Sequence, residues 1–273
     1  MVHTVPDILA RIVSSKLAAL ESVTPADRAA LERRAEARTA GRDFRAALTA
    51  ALPAIISEIK KASPSKGVFT EQFDPAAIAR TYASGGAAAL SVLTDAEYFQ
   101  GSLSDLEAAR AAVNIPVLRK DFTVAEHHVI EAAAHGADAI LLIAAILDAG
   151  EMRRLRELAA QFHMAALVEV HNGEELDAAI ASGADIIGVN NRNLHTFEVT
   201  LDTSLRLAEK IPASVVKVAE SGIDSRAAVQ RLSGAGFQAF LVGEHLMKAA
   251  DPAAAIRALI SKPNRDRDRK SVV

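Results

Sequence analysis

Four β-rich runs of the sequence end in acidic or basic residues whose chemistry suits proton transfer. The first run ends in Glu58-Ile59-Lys60, the second at Lys120, the third in Glu169-Val170 and the fourth at Glu220. Glu58 and Lys60 are two positions apart, so on a strand their side chains point to the same face. Carboxylates and ammonium groups held close together shift one another's pKa values, which suits general acid–base catalysis. These residues therefore predict a catalytic site, provided that the fold brings the four ends together.

Ordinary solvent exposure is the alternative explanation for these charges. Strand ends are where chains emerge into water, so any one of these residues could equally well face solvent. Charged ends on all four runs are harder to explain in this way, and they favour a shared site.

A repeated glycine pattern indicates the elements that would position these residues. Gly86, Gly136, Gly183 and Gly236 recur roughly every 50 residues, and each precedes a short apolar run. A glycine often ends a helix, and a short apolar run is typical of a buried strand. This interval is too long for one strand–helix unit and suits two.

The second strand of each repeat is predicted at Ile55–Lys60, Pro116–Lys120, Ala165–Val170 and Ser214–Glu220. Helix starts are indicated by N-cap–proline pairs or capping-box spacing at Thr24, Asp74, Ser104, Thr123 and Asp251. Eight strands that alternate with helices in a fourfold repeat favour a closed barrel over two open sheets. We therefore predict an α/β protein, a (βα)8 TIM barrel, in which the charged ends of strands 1, 3, 5 and 7 converge.

The chain divides into three predicted regions. Residues 1–50 lie outside the repeat and are predicted to form a helical extension packed on the barrel. An amphipathic helix there is indicated by Ile8, Ile12, Leu17 and Leu20, and a second helix by Ala26–Arg45. The barrel is predicted to span residues 51–263, and the mixed-charge residues 264–273 are predicted to be a disordered tail.

Composition excludes several classes of function. A net charge of -3 and scarce aromatic residues (4%) give no footprint for nucleic acid. The absence of cysteine excludes disulfides, thiolate catalysis and cysteine-ligated zinc. The sequence has no signal-peptide pattern and no apolar run of membrane-spanning length, so we predict a cytoplasmic protein without a membrane partner.

Glycine turns after strands 7 and 8 predict a phosphate site. They are Ser221-Gly222 and Gly243-Glu244, the latter followed by a possible short helix at His245–Ala249. Phosphate sites of barrels often form at these two loops, where backbone N–H groups approach the anion. Arg192, just past strand 6, could add a charge-assisted contact, although an exposed loop arginine is the equal alternative.

The segment Lys61–Gly67 is long for a loop between a strand and a helix, and it predicts a mobile flap over the site. It lacks the spacing of a P-loop, and no Gly-x-Gly-x-x-Gly motif occurs in the sequence. A dinucleotide cofactor is therefore unsupported.

Histidines and glutamates crowd the helix predicted after strand 3, at Glu126, His127, His128, Glu131 and His135. Some have i,i+4 spacing, but the His-Glu-x-x-His motif of zinc enzymes is missing. We interpret this helix as having a solvated face rather than a metal site.

The motifs at the strand ends resemble those of the indole-3-glycerol phosphate synthases, carboxy-lyases of tryptophan biosynthesis. The matching motifs, in family order, are Glu58–Gly67, Leu93–Asp95, Tyr98–Gly101, Leu118–Phe122, Leu167–Val170, Gly188–Leu194 and Ala219–Ile223. The resemblance extends from the N-terminal helix to about Ile260.

The resemblance implies conversion of 1-(2-carboxyphenylamino)-1-deoxyribulose 5-phosphate to indole-3-glycerol phosphate, CO₂ and water, without a metal or organic cofactor. It implies that Lys120 is the general acid for ring closure and that Glu169 stabilises the cationic intermediate. It further implies that Glu58 and Lys60 supply the acid and base for the final loss of hydroxide. Asn190 would orient either the sugar hydroxyls or Glu58.

The resemblance also implies a set of phosphate-binding positions: Ser63, Arg192, Ser221, Gly222, Gly243 and Glu244. Glu220 matches a family residue with a supporting role. The Glu244 carboxylate would repel a phosphate unless its side chain points away, so its backbone is the expected contact.

Two other functions stay open at this point. A sister barrel such as phosphoribosylanthranilate isomerase binds a similar phosphate, but its chemistry needs a Cys/Asp pair and this chain has no cysteine. A non-catalytic barrel used in assembly or regulation is disfavoured by the intact polar set. The oligomeric state is not given by the sequence, and a monomer is the expectation.

Overall fold

The computed structural model describes residues 7–63, 67–70 and 72–261. Eight parallel strands close into a barrel in which β1 pairs with both β2 and β8. The strands are β1 (Ala54–Ile59), β2 (Ala89–Leu93), β3 (Val117–Lys120), β4 (Ala139–Ile143), β5 (Ala165–Val170), β6 (Ile186–Asn190), β7 (Val216–Glu220) and β8 (Ala239–Val242). The predicted (βα)8 fold is confirmed.

Helices alternate with the strands and also precede the first one. The helices are α1 (Asp7–Glu21), α2 (Pro25–Glu36), α3 (Phe44–Ala50), α4 (Pro75–Gly85), α5 (Ala96–Phe99), α6 (Leu103–Ala112), α7 (Glu126–Ala134), α8 (Ala149–Gln161), α9 (Gly173–Ala181), α10 (Asp202–Ala208), α11 (Arg226–Gly234), α12 (Glu244–Met247) and α13 (Pro252–Ile260). Within the described ranges, none of these helices is both long and apolar enough to cross a membrane.

The four repeated glycines end helices, as their spacing predicts. Gly86, Gly136, Gly183 and Gly236 have φ angles of 96°, 83°, 80° and 91°. This left-handed conformation has no steric cost for glycine, and it turns the chain from the helix into the next strand. The repeat thus records a backbone requirement that recurs at every second strand.

Several predicted helix starts are confirmed by hydrogen bonds. The side chains of Thr24, Asp74 and Asp251 each accept a bond from the backbone N–H three residues later. Such a cap typically contributes about 1 kcal/mol to helix stability.

The capping box predicted at Ser104 is wrong. Helix α6 begins two residues earlier, where the Ser102 side chain accepts a bond from Asp105 N. The backbone N–H of Gly101 donates to Asp95 O at 2.8 Å, which turns the chain just before Ser102. Ser102 is therefore the first serine that can offer its oxygen to the free N–H groups of the helix.

The capping box predicted at Thr123 is also wrong. The N-cap position of α7 is Ala125, which makes no side-chain capping bond. Thr123 is buried two residues before it. The N–H of Val124 instead donates to His128 Nδ1 at 3.2 Å, so a side chain from inside the helix fixes its start.

The predicted helix over Ala26–Arg45 is broken in the middle. Helix α2 ends at Glu36, and α3 begins at Phe44 under an Asp43 cap. Between them the buried Asp138 carboxylate accepts bonds from the Arg38 side chain and from the Arg42 N–H, both at 3.0 Å. The Arg42 N–H is therefore bound to Asp138 rather than to a helical carbonyl.

Two apolar clusters form the core. One lies between the strands and the surrounding helices, and the other fills the barrel itself. Phe44 and Leu48 of α3 are fully buried in the second cluster, against Ile56, Leu118 and Leu167. Helix α3 therefore closes the amino-terminal end of the barrel.

Helix α1 is held across the opposite end of the barrel. Lys16 Nζ lies 2.8 Å from Asp95 and 2.6 Å from Asp121, two carboxylates that are almost fully buried. Of the predicted amphipathic pattern, Ile12 is buried, Ile8 and Leu20 are partly buried and Leu17 is exposed; Leu9, outside that pattern, is also buried. An ion pair and an apolar face thus dock α1 at the carboxyl ends of the strands.

Replacing Lys16 by methionine should lower the free energy of unfolding by about 2 kcal/mol, because two buried carboxylates lose a cation. Urea denaturation measures this change. The matched control is Arg231→Met, which breaks an exposed pair with Asp202 and should cost less than about 1 kcal/mol. Equal losses in the two variants would contradict a buried role for Lys16.

The predicted tail, residues 264–273, and the last two residues of the predicted barrel region lie outside the described residues. The division into extension, barrel and tail stays a prediction.

Candidate active site

A cavity of about 910 Å³ opens at the carboxyl ends of the barrel strands. All twelve site residues predicted from the sequence line it: Glu58, Lys60, Ser63, Lys120, Glu169, Asn190, Arg192, Glu220, Ser221, Gly222, Gly243 and Glu244. Its volume lies within the range usual for small-molecule sites. The structure thus places the whole predicted set in one space.

Apolar side chains, here called the apolar wall, line the same cavity as these polar residues. The apolar wall comprises Ile8, Leu9 and Ile12 of α1 together with Phe99, Phe122 and Leu194. Such a combination suits a ligand that has one flat apolar part and one charged part.

The charged residues on alternate strands form two close pairs. Lys60 Nζ lies 2.5 Å from Glu58 Oε1, and Lys120 Nζ lies 3.0 Å from Glu169 Oε2. Glu220 is also close, with its Oε2 3.5 Å from Lys120 Nζ. The three carboxylates are each less than 10% exposed, so solvent does not account for them. The layered interior of the barrel brings odd-numbered strands together, as predicted.

Burial and mutual charge set the protonation states of this cluster. Burial alone would lower the pKa of Lys120, but the carboxylates of Glu169, Glu220 and Glu58 outweigh it and raise that pKa. Burial likewise opposes ionisation of Glu169, yet Lys120 and His171 hold its pKa well below the usual range. Burial raises the pKa of Glu220 to about 8, and the Glu169 charge adds to the rise. At neutral pH Lys120 is therefore an ammonium, Glu169 a carboxylate and Glu220 a protonated carboxyl.

This assignment predicts how stability changes with pH. The folded-state pKa of Glu220 is raised, so between about pH 5 and 8 only the unfolded chain releases the proton, and wild-type stability falls. Glu220→Gln removes that loss. The free energy of unfolding of this variant, relative to wild type, should therefore rise by roughly 3 kcal/mol between pH 5 and pH 8.

Urea titrations at the two pH values measure this difference. The exposed Glu157→Gln on α8 is the control and should show no such change. A difference for Glu220→Gln that stays constant with pH would mean that Glu220 is ionised in the folded protein.

Two glycines make room for the buried carboxylates. A Cβ atom at Gly188 of β6 would overlap Glu220 Oε1, and one at Gly243 would overlap Glu58 Oε1. Gly243 was predicted for the approach of a phosphate, and the structure adds this second reason for it. The role of Gly188 depends on a side chain of the neighbouring strand β7, so the sequence alone does not indicate it.

Asn190 lies at the end of β6, between the cluster and the glycine turn. Its Oδ1 accepts bonds from Ser221 Oγ at 2.8 Å and from Arg192 N at 3.0 Å. These two donors orient the amide so that Nδ2 donates to Glu169 Oε1 at 3.3 Å. Asn190 was expected to orient either the sugar hydroxyls or Glu58. Among the described contacts its amide makes no bond to Glu58 and binds Glu169 instead.

The predicted phosphate positions line the same cavity, next to Asn190 and Glu58. Ser221 and Gly222 have φ angles of 64° and 75°, so consecutive left-handed residues follow β7. The short helix predicted at His245–Ala249 begins earlier, at Glu244. The Glu244 carboxylate accepts a bond from Lys248 Nζ at 2.6 Å, so its charge is balanced by a lysine that also lines the cavity.

The loop after β1 folds into a small antiparallel hairpin, with Ala62–Ser63 paired to Gly67–Val68. Phe69 follows it, and Lys60 Nζ lies 5.4 Å from the centre of that ring. A cation–π contact thus joins the loop to the site. Residues 64–66, the centre of the predicted flap, are outside the described residues.

Comparisons with known proteins identify the family of this chain. A family model for indole-3-glycerol phosphate synthase matches residues 9–259. The chain belongs to the indole-3-glycerol phosphate synthase family. The synthase of Chromobacterium violaceum is 52% identical and covers 93% of this chain and 97% of its own length. That of Polaromonas naphthalenivorans is 48% identical and covers 94% and 99%.

Solved structures with distant sequences share the fold alone. A protein from Streptococcus mutans described as KGPDC superposes with a TM-score of 0.60 at 14% identity, over 76% of this chain and 95% of its own. The thiamine phosphate pyrophosphorylase of Pyrococcus furiosus gives 0.56 at 18% identity, over 76% and 93%.

One sequence-based interpretation of this family member is wrong. The histidines of α7 do not form a solvated face, since His127 and His128 are both less than 10% exposed. Burial lowers the pKa of His128 to about 4, so its ring is neutral. The buried Arg119 donates to the His128 carbonyl at 3.0 Å and to Glu131 at 2.6 Å, which fixes this face of α7 against β3. Among the described residues, no group of three or more potential ligands is placed to hold a metal ion.

Sequence reasoning missed His171 and Lys248. His171 directly follows β5, two residues after Glu169, and its ring contacts that carboxylate. Its position beyond a strand end was the available signal. Lys248 is paired with Glu244 four residues away in the sequence, a spacing that could have been noticed.

Proposed function

We propose that this chain converts 1-(2-carboxyphenylamino)-1-deoxyribulose 5-phosphate to indole-3-glycerol phosphate, CO₂ and water. The observation that carries the proposal is the pair of lysine–carboxylate contacts, Glu58–Lys60 and Lys120–Glu169, in one cavity with an apolar wall. The family relationship supports it independently.

The first step closes the ring. The aromatic carbon that carries the carboxylate attacks the ketone carbon of the sugar chain, and the ketone oxygen takes a proton. Lys120 is the donor in this proposal, because the surrounding carboxylates keep it in the ammonium form. The positive charge that develops at the ring nitrogen is stabilised by the Glu169 anion.

The second step releases CO₂. The electrons of the broken carbon–carbon bond return to the ring and neutralise the positive nitrogen. The substrate's own nitrogen therefore serves as the electron sink, and the step needs no organic cofactor. The buried Glu169 carboxylate stabilises the positive ring nitrogen, so Glu169 must stay ionised until CO₂ has left.

The third step removes water. The former ketone oxygen leaves as water after it takes a proton, and the neighbouring carbon gives up a proton to a base. Glu58 and Lys60, 2.5 Å apart at the end of β1, can supply that base and acid. A double bond forms between the carbon that loses the oxygen and the neighbouring carbon that loses the proton, and the indole is complete.

The two ends of the substrate suit two different sets of residues that line the cavity. The apolar wall of α1, Phe99 and Phe122 accommodates the aromatic ring. The turns at Ser221-Gly222 and Gly243-Glu244, with Ser63 and Arg192, are proposed to hold the phosphate. The Glu244–Lys248 pair reduces the repulsion that a lone carboxylate would exert there.

The direct test uses the purified protein and this substrate at neutral pH. Appearance of indole fluorescence, with one CO₂ released per indole formed, is the expected result. Absence of product at saturating substrate would overturn the proposal, and calorimetry would then show whether the barrel binds the substrate without turning it over. Cytoplasmic location and a monomeric state stay predictions.

A further inference from the structure

His171 lies just outside the cavity, behind the carboxylate of Glu169. It directly follows β5, its side chain is 11% exposed, and it is not among the residues that line the cavity. Its Nε2 lies 3.4 Å from Glu169 Oε1, and its Nδ1 lies 3.0 Å from Glu175 Oε2. The ring therefore reaches the site only through Glu169.

Glu175 is itself fixed in place, in the first turn of α9. Its Oε2 accepts a bond from the His171 backbone N–H at 2.7 Å, and its Oε1 accepts one from Asn172 Nδ2 at 2.6 Å. Asn172 in turn caps the helix through the N–H of Glu175 at 3.0 Å. This network aims one carboxylate oxygen at Nδ1 of the histidine ring.

The other ring nitrogen faces Glu169. His171 Nε2 is buried and has no hydrogen bond within the described part of the chain, so the Glu169 carboxylate is the anion next to it. Glu169 thereby lies between two cations, because Lys120 contacts its Oε2 while His171 and the Asn190 amide face its Oε1.

We propose that His171 is a positioning residue: anchored by Glu175 as an imidazolium, it keeps Glu169 anionic while Lys120 gives up its proton. This inference rests on the proposed function. When Lys120 donates to the substrate it becomes neutral, and Glu169 loses one of its two cations. A second cation that takes no part in the reaction prevents Glu169 from taking up a proton. The negative charge of Glu169 therefore stays available to the cationic intermediate.

The charges around His171 support this state. Burial would lower the pKa of the imidazole, but the carboxylates of Glu169 and Glu175 outweigh it and raise that pKa to about 10. Glu169 also faces Lys120, Asn190 and the protonated Glu220. The imidazolium therefore persists through the neutral range in which the enzyme would be assayed.

The test replaces the charge and keeps a donor. His171→Gln should lower kcat about 10-fold with little change in KM. It should also move the acidic limb of the kcat–pH profile up by about one pH unit, because Glu169 loses an adjacent cation. Glu175→Gln removes the anchoring charge and keeps one acceptor oxygen for the His171 N–H and ring, although it loses the bond from Asn172 Nδ2. It should shift the limb in the same direction and serves if His171→Gln does not fold. The matched control is His135→Gln, which breaks a His–Glu contact of 2.8 Å remote from the cavity and should leave both quantities unchanged.

A second measurement does not depend on activity. Nitrogen NMR of the His171 ring should show an imidazolium at pH 8 in the wild type and a lower titration midpoint in Glu175→Gln. An unaltered pH profile in an active His171→Gln enzyme, or a neutral ring at pH 8, would overturn the inference. Wild-type protein that shows the imidazolium but forms no indole would instead contradict the proposed function.

Discussion

Replacing Lys120 by methionine is expected to lower kcat by about 10³-fold while leaving substrate binding largely intact. General acid catalysis contributes roughly 10²- to 10⁴-fold, and methionine retains most of the side-chain volume without the transferable proton. The ammonium group is also the cation that contacts both Glu169 and Glu220. Its loss should raise the pKa of Glu169 and weaken the anion that the intermediate requires.

Single-turnover fluorescence and calorimetric titration with substrate separate the chemical step from binding. Lys217→Met is the matched control, because Lys217 is also a partly buried strand lysine but donates to the carbonyl of Ala208 outside the cavity. It should keep wild-type kcat. Turnover of Lys120→Met at the wild-type rate would remove Lys120 from the mechanism.

Gly243→Ala is the second change expected to have a large effect, lowering kcat/KM by about 10²-fold. A Cβ atom there would overlap Glu58 Oε1 and lie 3.0 Å from its Cδ, so the carboxylate would have to move away from Lys60. Displacement of a catalytic group by even about 1 Å can cost that much. The methyl group would also narrow the proposed phosphate turn.

A double-mutant comparison distinguishes displacement of the Glu58 carboxylate from narrowing of the phosphate turn. If Gly243→Ala acts through Glu58, it should cost little further activity in a Glu58→Gln background, since that residue would already be impaired. Gly234→Ala in α11 is the control, because a Cβ there contacts nothing within 4 Å and should stabilise the fold by up to about 1 kcal/mol. Wild-type activity in Gly243→Ala would contradict the steric argument.

The fold could be predicted because its determinants are local and repeated. Each helix-ending glycine and each short apolar run is visible in the sequence, and both recur at every second strand. The failures arose where a side chain competes for the backbone. The helix over Ala26–Arg45 is interrupted by Asp138, about a hundred residues later, and the start of α7 is fixed by a bond from Val124 to the ring of His128.

The site could be predicted for a similar reason, and to a similar limit. Parallel strands of a barrel place their ends in one layer, so charged residues such as Glu58 and Lys120 can be grouped without knowing any distance. The family resemblance added Asn190, which the alternating strands alone would have missed. The burial of His127 depends on packing between elements, and no spacing rule contains it.

The closure of the amino-terminal end by α3 has a consequence for traffic through the barrel. Phe44 and Leu48 seal that end, so the barrel is a cup rather than a tube. Substrate must enter, and CO₂ and the phosphorylated product must leave, through the mouth at the other end. Helix α1, which the ion pair of Lys16 holds there, lies beside that opening. Substrate entry and product release therefore share one opening, and the stability with which α1 is docked beside it affects the rate of product release.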